Sequence, residues 1–310
     1  MYVYELSKQN LELSSKELLS LSNSKTNKFT LLSNYLLIDE LVNYKHLAYT
    51  KKVYKLLIET NEDNLISDIK GFDFEGVYET SFSLNLVNSK KLDVRVLADN
   101  IWQKLSNPKV DLKNAKTKFE IIFLDGVVLV CKFEGEQNDK FEDRRAHLRE
   151  FNHPTSMHPR LARAIVNLVD ARQILDPFCG SGGILLEAGL IGKEMIGYDL
   201  DKIMLRRCQK NLDFFKLKAQ LELKDALTID AMYEAIVTDI PYGRNSKTSE
   251  ITSLLSDFLV IAYKRTNKMV LVVPDMIDEN IIKNSRWNIK QEFSHYLHKS
   301  LTRKIYLLGK

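Results

Sequence analysis

The hydrophobic rhythm of the chain changes twice. Near the start a short alternating run, Tyr2 to Leu6, predicts a strand. It is followed by the amphipathic stretch SSKELLSL, where Ser14 or Ser15 is placed to cap a short helix. LAYTKKVYKLLIET reads as a strand or a helix edge, and LISDIKG as a short helix closed by Gly71. Alternation in FSLNLVN then hands over to helical spacing in KLDVRVLADNIWQKL. FEIIFLDGVVLVCKF predicts a hairpin, because two β-branched runs meet at Asp125-Gly126. These elements make a small α+β unit. Residues 134–152 are almost wholly polar and read as a linker, with Arg144, Arg145 and Arg149 either on a solvated face or in contact with nucleic acid.

From Asn152 onward strands and helices alternate. The predicted strands are RQILDPF (172–178), MIGYDL (195–200), AQLELKD (219–225), AIVTDIP (235–241) and KMVLVVP (268–274). GILLEAGLIG, KIMLRRCQKNLDFF and SEITSLLSDFLVIAYKR supply helices between most of them. That order predicts an α/β, doubly wound, mostly parallel sheet. NIKQEFSHYL and TRKIYLLG form a last hairpin, which adds one antiparallel strand at the end of the sheet. No repeat with a period of 20–50 residues interrupts this order.

Composition narrows the class without naming a function. With 310 residues, 45% apolar and 28% charged, the chain can bury a large core and is globular rather than disordered. No run of about 18 apolar residues is present, so no membrane-spanning helix is expected, and MYVYELSKQN lacks the pattern of a secretory signal. Cys131, Cys179 and Cys208 are too few and too scattered for a disulfide framework or a zinc site, which points to a reducing cytosol. Residues 1–150 carry 22 Lys and Arg against 23 Asp and Glu, and residues 151–310 carry 23 against 18. This is not the field of a protein that lives on DNA; it suits one that visits a polyanion and leaves.

The strongest chemical signal is Asp176-Pro177-Phe178-Cys179-Gly180-Ser181-Gly182-Gly183, after an apolar strand and opening a helix. Its glycines allow a tight turn and close approach to a ligand, and the helix start offers free N–H groups. Asp199, 23 residues beyond Asp176, ends the next strand, where a carboxylate bonds ribose hydroxyls. No Gly-Lys-Ser/Thr follows, so this is not a P-loop. A carboxylate at Asp176 repels pyrophosphate and suits a cationic ligand with an amino-acid tail, such as S-adenosylmethionine. Asp225, ending the third strand, is placed either at an adenine edge or as a helix N-cap. The second signal is Asp239-Ile240-Pro241-Tyr242-Gly243-Arg244 at the end of the fourth strand. There Asp239 and the Ile240 carbonyl can accept from an exocyclic amine, Pro241 stiffens the turn, and Tyr242 offers a ring for a base to stack on.

His153 and His158 are read as loop and cap residues, with no metal expected; Cys179 as a small buried residue; Trp102 and Trp287 as packing.

Residues 152–308 resemble the archaeal and eukaryotic tRNA guanosine-10 N2-methyltransferase family. HPTSMHPRLARAIVNL (153–168), DPFCGSGGILLEAGLIG (176–192), DIPYGR (239–244) and HKSLTRKIYLL (298–308) carry the likeness. The family's motif usually reads Asp-Pro-Pro-Tyr; Ile240 stands in the place of the first Pro. The resemblance implies a Rossmann-like class I methyltransferase domain over 153–310, a linker over 136–152, a THUMP-like RNA-binding domain over 46–135 and a ferredoxin-like entry region over 1–45. It implies S-adenosylmethionine as cofactor, bound by Thr155, Asp176, Phe178, Gly180, Gly182, Asp199 and Asp225, with Thr155 in the segment Pro154–Met157 that closes over the methionine end. Asp239, Ile240, Pro241 and Tyr242 are the implied catalytic residues. The implied partners are tRNA, reached in part through Lys51, Lys52, Lys55 and Arg95, and in some members a small zinc-binding activator subunit. The expected product is N2-methylguanosine or its N2,N2-dimethyl form. Competing readings are another tRNA guanosine, a DNA adenine or cytosine N-methyltransferase, and a catalytically dead RNA-binding protein. The intact Asp176, Gly180, Gly182, Asp199 and Asp239 argue against the last.

Overall fold

The computed structural model describes residues 1–22, 28–89, 92–148, 157–241, 248–298 and 301–310. The chain divides into two compact units. The first comprises Met1–Leu11, Ser22–Lys45 and Thr50–Gln137; the second comprises Glu12–Leu21, His46–Tyr49 and Asn138–Lys310.

The first unit is built on one seven-stranded sheet. Its strands are β1 (Tyr2–Leu6), β2 (Thr30–Leu32), β3 (Tyr35–Ile38), β4 (Thr50–Thr60), β5 (Phe82–Val87), β6 (Thr117–Leu124) and β7 (Val127–Glu136). Their order across the sheet is β2-β3-β1-β4-β7-β6-β5, antiparallel except between β5 and β6. Of the LAYTKKVYKLLIET run, TKKVYKLLIET forms the strand β4. The β6–β7 hairpin turns at Asp125-Gly126, where Gly126 adopts φ of +77° at no side-chain cost. Alternation along β6 buries both faces. Phe119, Ile121 and Phe123 pack with Leu65 and Ile69 of a helix over Leu65–Gly71, and with Leu97 and Ile101 of a helix over Val94–Trp102. Ile122 packs with Val3, Tyr54 and Leu129 on the opposite side. Counting α1 (Leu11–Leu21), these two helices are α2 and α3.

Helix α1 starts at Leu11, a turn earlier than a cap at Ser14 or Ser15 predicts, and from Glu12 onward it belongs to the second unit. Leu13, Ser14, Glu17 and Leu18 all bury on one face, and that stripe carries the helix past the serines.

The second unit holds the remaining elements. They are α4 (Pro159–Asn167), β8 (Gln173–Asp176), α5 (Gly183–Leu190), β9 (Glu194–Asp199), α6 (Lys202–Phe214), β10 (Gln220–Leu223), β11 (Ala235–Asp239), α7 (Thr248–Arg265), β12 (Lys268–Pro274), α8 (Asn280–Lys283), β13 (Asn288–His298) and β14 (Leu301–Gly309). The sheet order is β10-β9-β8-β11-β12-β14-β13. The strands from β10 to β12 run parallel, and β14 pairs antiparallel with both β12 and β13. The antiparallel strand is thus the last in the chain and lies inside its hairpin, with β13 on the outer edge. Strand alternation sends Ala235, Val237, Val270 and Val272 into one core with α4, α5 and α6, and Ile236, Met269 and Leu271 into another with α7. Strand order reverses at β8, so the carboxyl ends of β8, β9 and β11 frame a crevice.

The polar stretch after β7 is mostly exposed but is anchored at two points. Phe141 is buried, and Arg144 is buried against Glu187, with Nε to Oε1 at 2.9 Å and Nη2 to Oε2 at 3.1 Å. Arg163 donates to the same carboxylate at 2.8 Å. Arg144 is therefore neither on a solvated face nor open to nucleic acid: Glu187 is fully buried and needs cationic donors. Arg145 pairs locally with Glu142, and Arg149 lies outside the described residues. Among the described residues no helix is long and apolar enough to cross a membrane.

Candidate active site

A cleft of about 750 Å³ opens at the carboxyl ends of β8, β9 and β11. Three acids end those strands: Asp176, Asp199 and Asp239. All three line the cleft, with Phe178, Gly180, Asp225, Ile240 and Pro241. Gly182 stands at the head of α5 just behind it. The structure thus brings together most of the residues that the two motifs point to. Thr155 and Tyr242 lie outside the described residues.

The glycine loop is held by its own geometry. Gly180 and Gly182 adopt φ of +51° and +84°, the region that side chains avoid. A Cβ at Gly182 would stand 2.6 Å from the Cys208 sulfur of α6, so the loop packs onto that helix only without one. The Cys179 amide donates to the Tyr198 carbonyl at 2.9 Å and fastens the loop to β9. Cys179 itself is buried, and its neighbour Cys208 together with burial pushes its thiol far up, so it offers no thiolate.

Each acid has a distinct setting. Asp199 accepts from the Gly180 amide through Oδ2 and the Asp201 amide through Oδ1, both at 2.8 Å. Each oxygen keeps a further lone pair for a ligand hydroxyl. Asp176 is almost fully buried. Its Oδ1 accepts from the Thr238 hydroxyl at 2.7 Å and the Phe178 amide at 3.2 Å. Burial pushes its carboxyl up to about 7; the two donors pull the other way, and Asp239 and Asp199 add repulsion. Asp239 has a side chain 18% exposed and pairs through Oδ2 with Arg303 of β14 at 3.1 Å. Its Oδ1 is shielded from solvent and has no hydrogen-bond partner among the described residues. Burial pushes this carboxyl up to about 6, held from going higher by Arg303.

Asp225 is the N-cap of its second reading and also lies on the cleft. Its carboxylate caps a short 3₁₀ turn by accepting from the Leu227 amide at 2.9 Å, and the same residue lines the cleft. Ile240 donates its amide to the Val272 carbonyl at 3.0 Å, which fixes the chain just before Pro241. Phe178 packs edge-on against Phe258 of α7, 5.2 Å between centroids. His158 is a helix cap: its Nδ1 accepts from the Arg160 amide at the head of α4. Met157, from the segment expected to close over a cofactor, lines the cleft.

Sequence reasoning did not assign Thr238 or Arg303 to the site. Thr238 is an inward-facing strand residue like any other until its hydroxyl is seen on Asp176. Arg303 lies in the HKSLTRKIYLL stretch, so the segment was visible and its partner was not.

The donor set fits a nucleoside with a cationic tail. Glycines admit close approach, Asp199 offers acceptors for a diol, and Asp176 and Asp239 bring two further carboxyl groups to the same cleft. The orphaned Oδ1 of Asp239 calls for one more N–H or O–H donor.

Comparison with known proteins agrees. A family model described as an RMKL-like methyltransferase domain matches residues 146–304, and one described as a DNA methylase matches residues 4–210. The chain is 31% identical to a tRNA (guanine(10)-N2)-dimethyltransferase of Methanothermobacter thermautotrophicus, across 97% of this chain and 96% of that protein. It is 33% identical to the protein of the same name from Methanocaldococcus jannaschii, across 66% of this chain and 61% of that protein. Its fold is similar to that of the crystal structure of TrmN from Thermus thermophilus, with a TM-score of 0.51 at 17% identity over 100% of this chain and 99% of that one. With its cofactor-type cleft, its Asp-Ile-Pro strand end and near full-length similarity at this level, the chain belongs to the tRNA (guanine(10)-N2)-dimethyltransferase family, and residues 146–304 are a methyltransferase domain of class I fold.

Proposed function

We propose that the protein methylates the exocyclic N2 amine of a guanosine in tRNA, at position 10, giving N2-methylguanosine and then N2,N2-dimethylguanosine. The observation that carries the reading is Asp239: a carboxylate at a strand end on the cleft, one oxygen held by Arg303 and the other without a donor among the described residues. An amine N–H supplies that donor. S-adenosylmethionine, when bound, supplies an electrophilic methyl group on a sulfonium. Asp199 would hold its ribose, and Asp176, Gly180 and Gly182 its amino-acid end. Asp239 and the Ile240 carbonyl accept the amine hydrogens and turn the nitrogen lone pair toward the donor. The same carboxylate then favours the positive charge that grows on nitrogen. Catalysis on this reading is positioning and electrostatics, with no covalent enzyme intermediate.

The first unit is the proposed RNA-binding region of THUMP type, which selects the tRNA. Its lysines are partly neutralised at home: Lys51 pairs with Glu5, and Lys52 with Glu120. Lys55 and Arg95 are exposed and make no ion pair among the described residues, which favours them as phosphate contacts. The cytoplasm is the proposed location, consistent with three free cysteines. A small zinc-binding activator is a proposed partner, and turnover by the purified chain alone would remove the need for it.

The test is nucleoside mass spectrometry of tRNA treated with the purified protein and isotopically labelled S-adenosylmethionine, with mapping of the modified site. Labelled N2-methylguanosine at position 10 is expected, and Asp239→Asn should lower the single-turnover rate by ~10²–10³, the scale of one lost electrostatic stabiliser. The match of residues 4–210 to the DNA methylase model favours a second reading, a DNA amine methyltransferase, although that span ends before Asp239. Label in duplex DNA and none in tRNA would decide for it.

A further inference from the structure

We propose that Arg303 is a positioning residue of the methylation site: it holds Oδ2 of Asp239 and so presents Oδ1 alone to the substrate amine. The inference rests on the amine-methylation reading and goes beyond it. Arg303 is 64 residues from Asp239 in the chain and 3% exposed. It reaches the site because β14 runs antiparallel, so that its first residues stand at the carboxyl ends of the parallel strands. There Arg303 sits opposite Pro274 of β12 and His295 of β13. A guanidinium buried this deeply is costly unless paired, and its pairing with a cleft carboxylate at 3.1 Å leaves the second oxygen orphaned. A fully satisfied structural ion pair would leave no such atom.

The charges around Asp239 give the pairing a chemical consequence. Asp176 on β8 and Asp199 on β9 bring like charge to the cleft. Burial and Arg303 hold His295 below its ordinary range, which disfavours a charged imidazole there. Val272 and Pro274 of β12 and Leu254 of α7 do not titrate. Among the described residues Arg303 is thus the cation that opposes burial and keeps Asp239 ionised near neutral pH. An ionised carboxylate accepts from an amine and does not donate to it, which keeps the nitrogen lone pair free for transfer.

The experiment is the pH dependence of kcat for tRNA methylation at saturating S-adenosylmethionine, measured on the full chain. The variants are Arg303→Gln and Arg303→Met, each also combined with Asp239→Asn, and donor binding is followed by calorimetry. The wild type should lose rate on the acid side near pH 6. Both neutral variants should carry that limb up by about two pH units, the effect of losing an opposite charge at this range. Their rate at pH 7 should then fall about tenfold and recover towards pH 9, with donor affinity within about twofold. Arg303→Met packs an apolar chain where the guanidinium lay, so it keeps the test open if the amide variant folds poorly. On the Asp239→Asn background the moving limb should be gone, which separates Asp239 from Asp176. An unmoved limb, or a loss equal at every pH, would overturn the proposal while leaving amine methylation in place. A wild-type protein that binds the donor but labels no tRNA would instead sink the functional reading itself.

Discussion

Three carboxylates end three neighbouring strands, yet their partners set them apart. Asp199 is held by two backbone amides, Asp176 is buried on a hydroxyl and an amide, and Asp239 is half-satisfied by an arginine. For Asp199 the expected role is ribose binding, and Asp199→Ala should weaken S-adenosylmethionine binding by about 1.5–3 kcal/mol, the range of a charged hydrogen bond. Calorimetry decides it, and unchanged affinity would take Asp199 out of the site. Asp176 makes a prediction in pH. Its carboxyl is raised in the folded chain to about 7, so the folded state holds a proton that the unfolded state gives up earlier. Ligand-free stability from this group is therefore full at low pH and is lost as pH rises through 7. Asp176→Asn should stabilise the ligand-free protein at pH 8, by on the order of 1–3 kcal/mol, and by less at pH 5. A cationic ligand has the opposite preference, so donor affinity should rise from pH 6 to pH 8 in the wild type and stay flat in the variant. Parallel melting curves at pH 5 and pH 8 would refute this.

At the scale of elements, the strand–loop–helix over β8 and α5 was legible almost residue by residue. Its signals are local: an apolar strand, glycines where φ turns positive, then a helix. What the sequence hid was the floor under the loop. Gly182 is required by its φ and also by the Cys208 sulfur on α6, whose approach depends on how that helix packs. Gly182→Ala should therefore destabilise the protein by about 1–3 kcal/mol, through backbone strain plus overpacking. Adding Cys208→Ala should return only part of that loss, because removing the sulfur relieves the clash and not the φ. Thermal melts of the two variants and of Cys208→Ala alone test this, and full recovery would show that φ at Gly182 costs nothing. The final hairpin is the converse case. Its two strands were legible from alternation, but the insertion of β14 between β12 and β13 was not, and that insertion is what delivers Arg303 to Asp239.

For the whole molecule, the unexpected feature is how the methyltransferase unit is assembled from the chain. Helix α1 and residues 46–49 belong to it, with Leu13, Ala48 and Tyr49 in its core. Glu17 is fully buried there and accepts from the Ala48 amide at 2.6 Å, the Tyr49 amide at 3.0 Å and the Asn167 side chain at 2.7 Å. A fragment of residues 138–310 strips all of these away. It should melt well below the intact chain or fail to accumulate in folded form, and its donor binding should fall with its folded fraction. A fragment that melts and binds like the whole protein would show these segments to be dispensable. Separating RNA selection from chemistry therefore calls for point substitutions such as Lys55→Glu and Arg95→Glu rather than truncation. On the proposed reading these weaken tRNA binding, more so at low salt, and leave donor affinity alone.

Sequence alone determined the class of the methyltransferase unit, the glycine loop, the acids at the strand ends and the family. These are written in short-range terms: the period of apolar positions, the glycine a turn requires, and the spacing of an acid after it. The tertiary structure alone decided which cation meets Asp239, which hydroxyl meets Asp176, that Arg144 is buried on Glu187, and that α1 completes a unit whose main part, Asn138–Lys310, begins over a hundred residues later. Each of those depends on strand order or helix packing over separations of about 40 to 150 residues. Composition and periodicity show that such polar groups exist and must be satisfied when buried; only the closed fold chooses their partners.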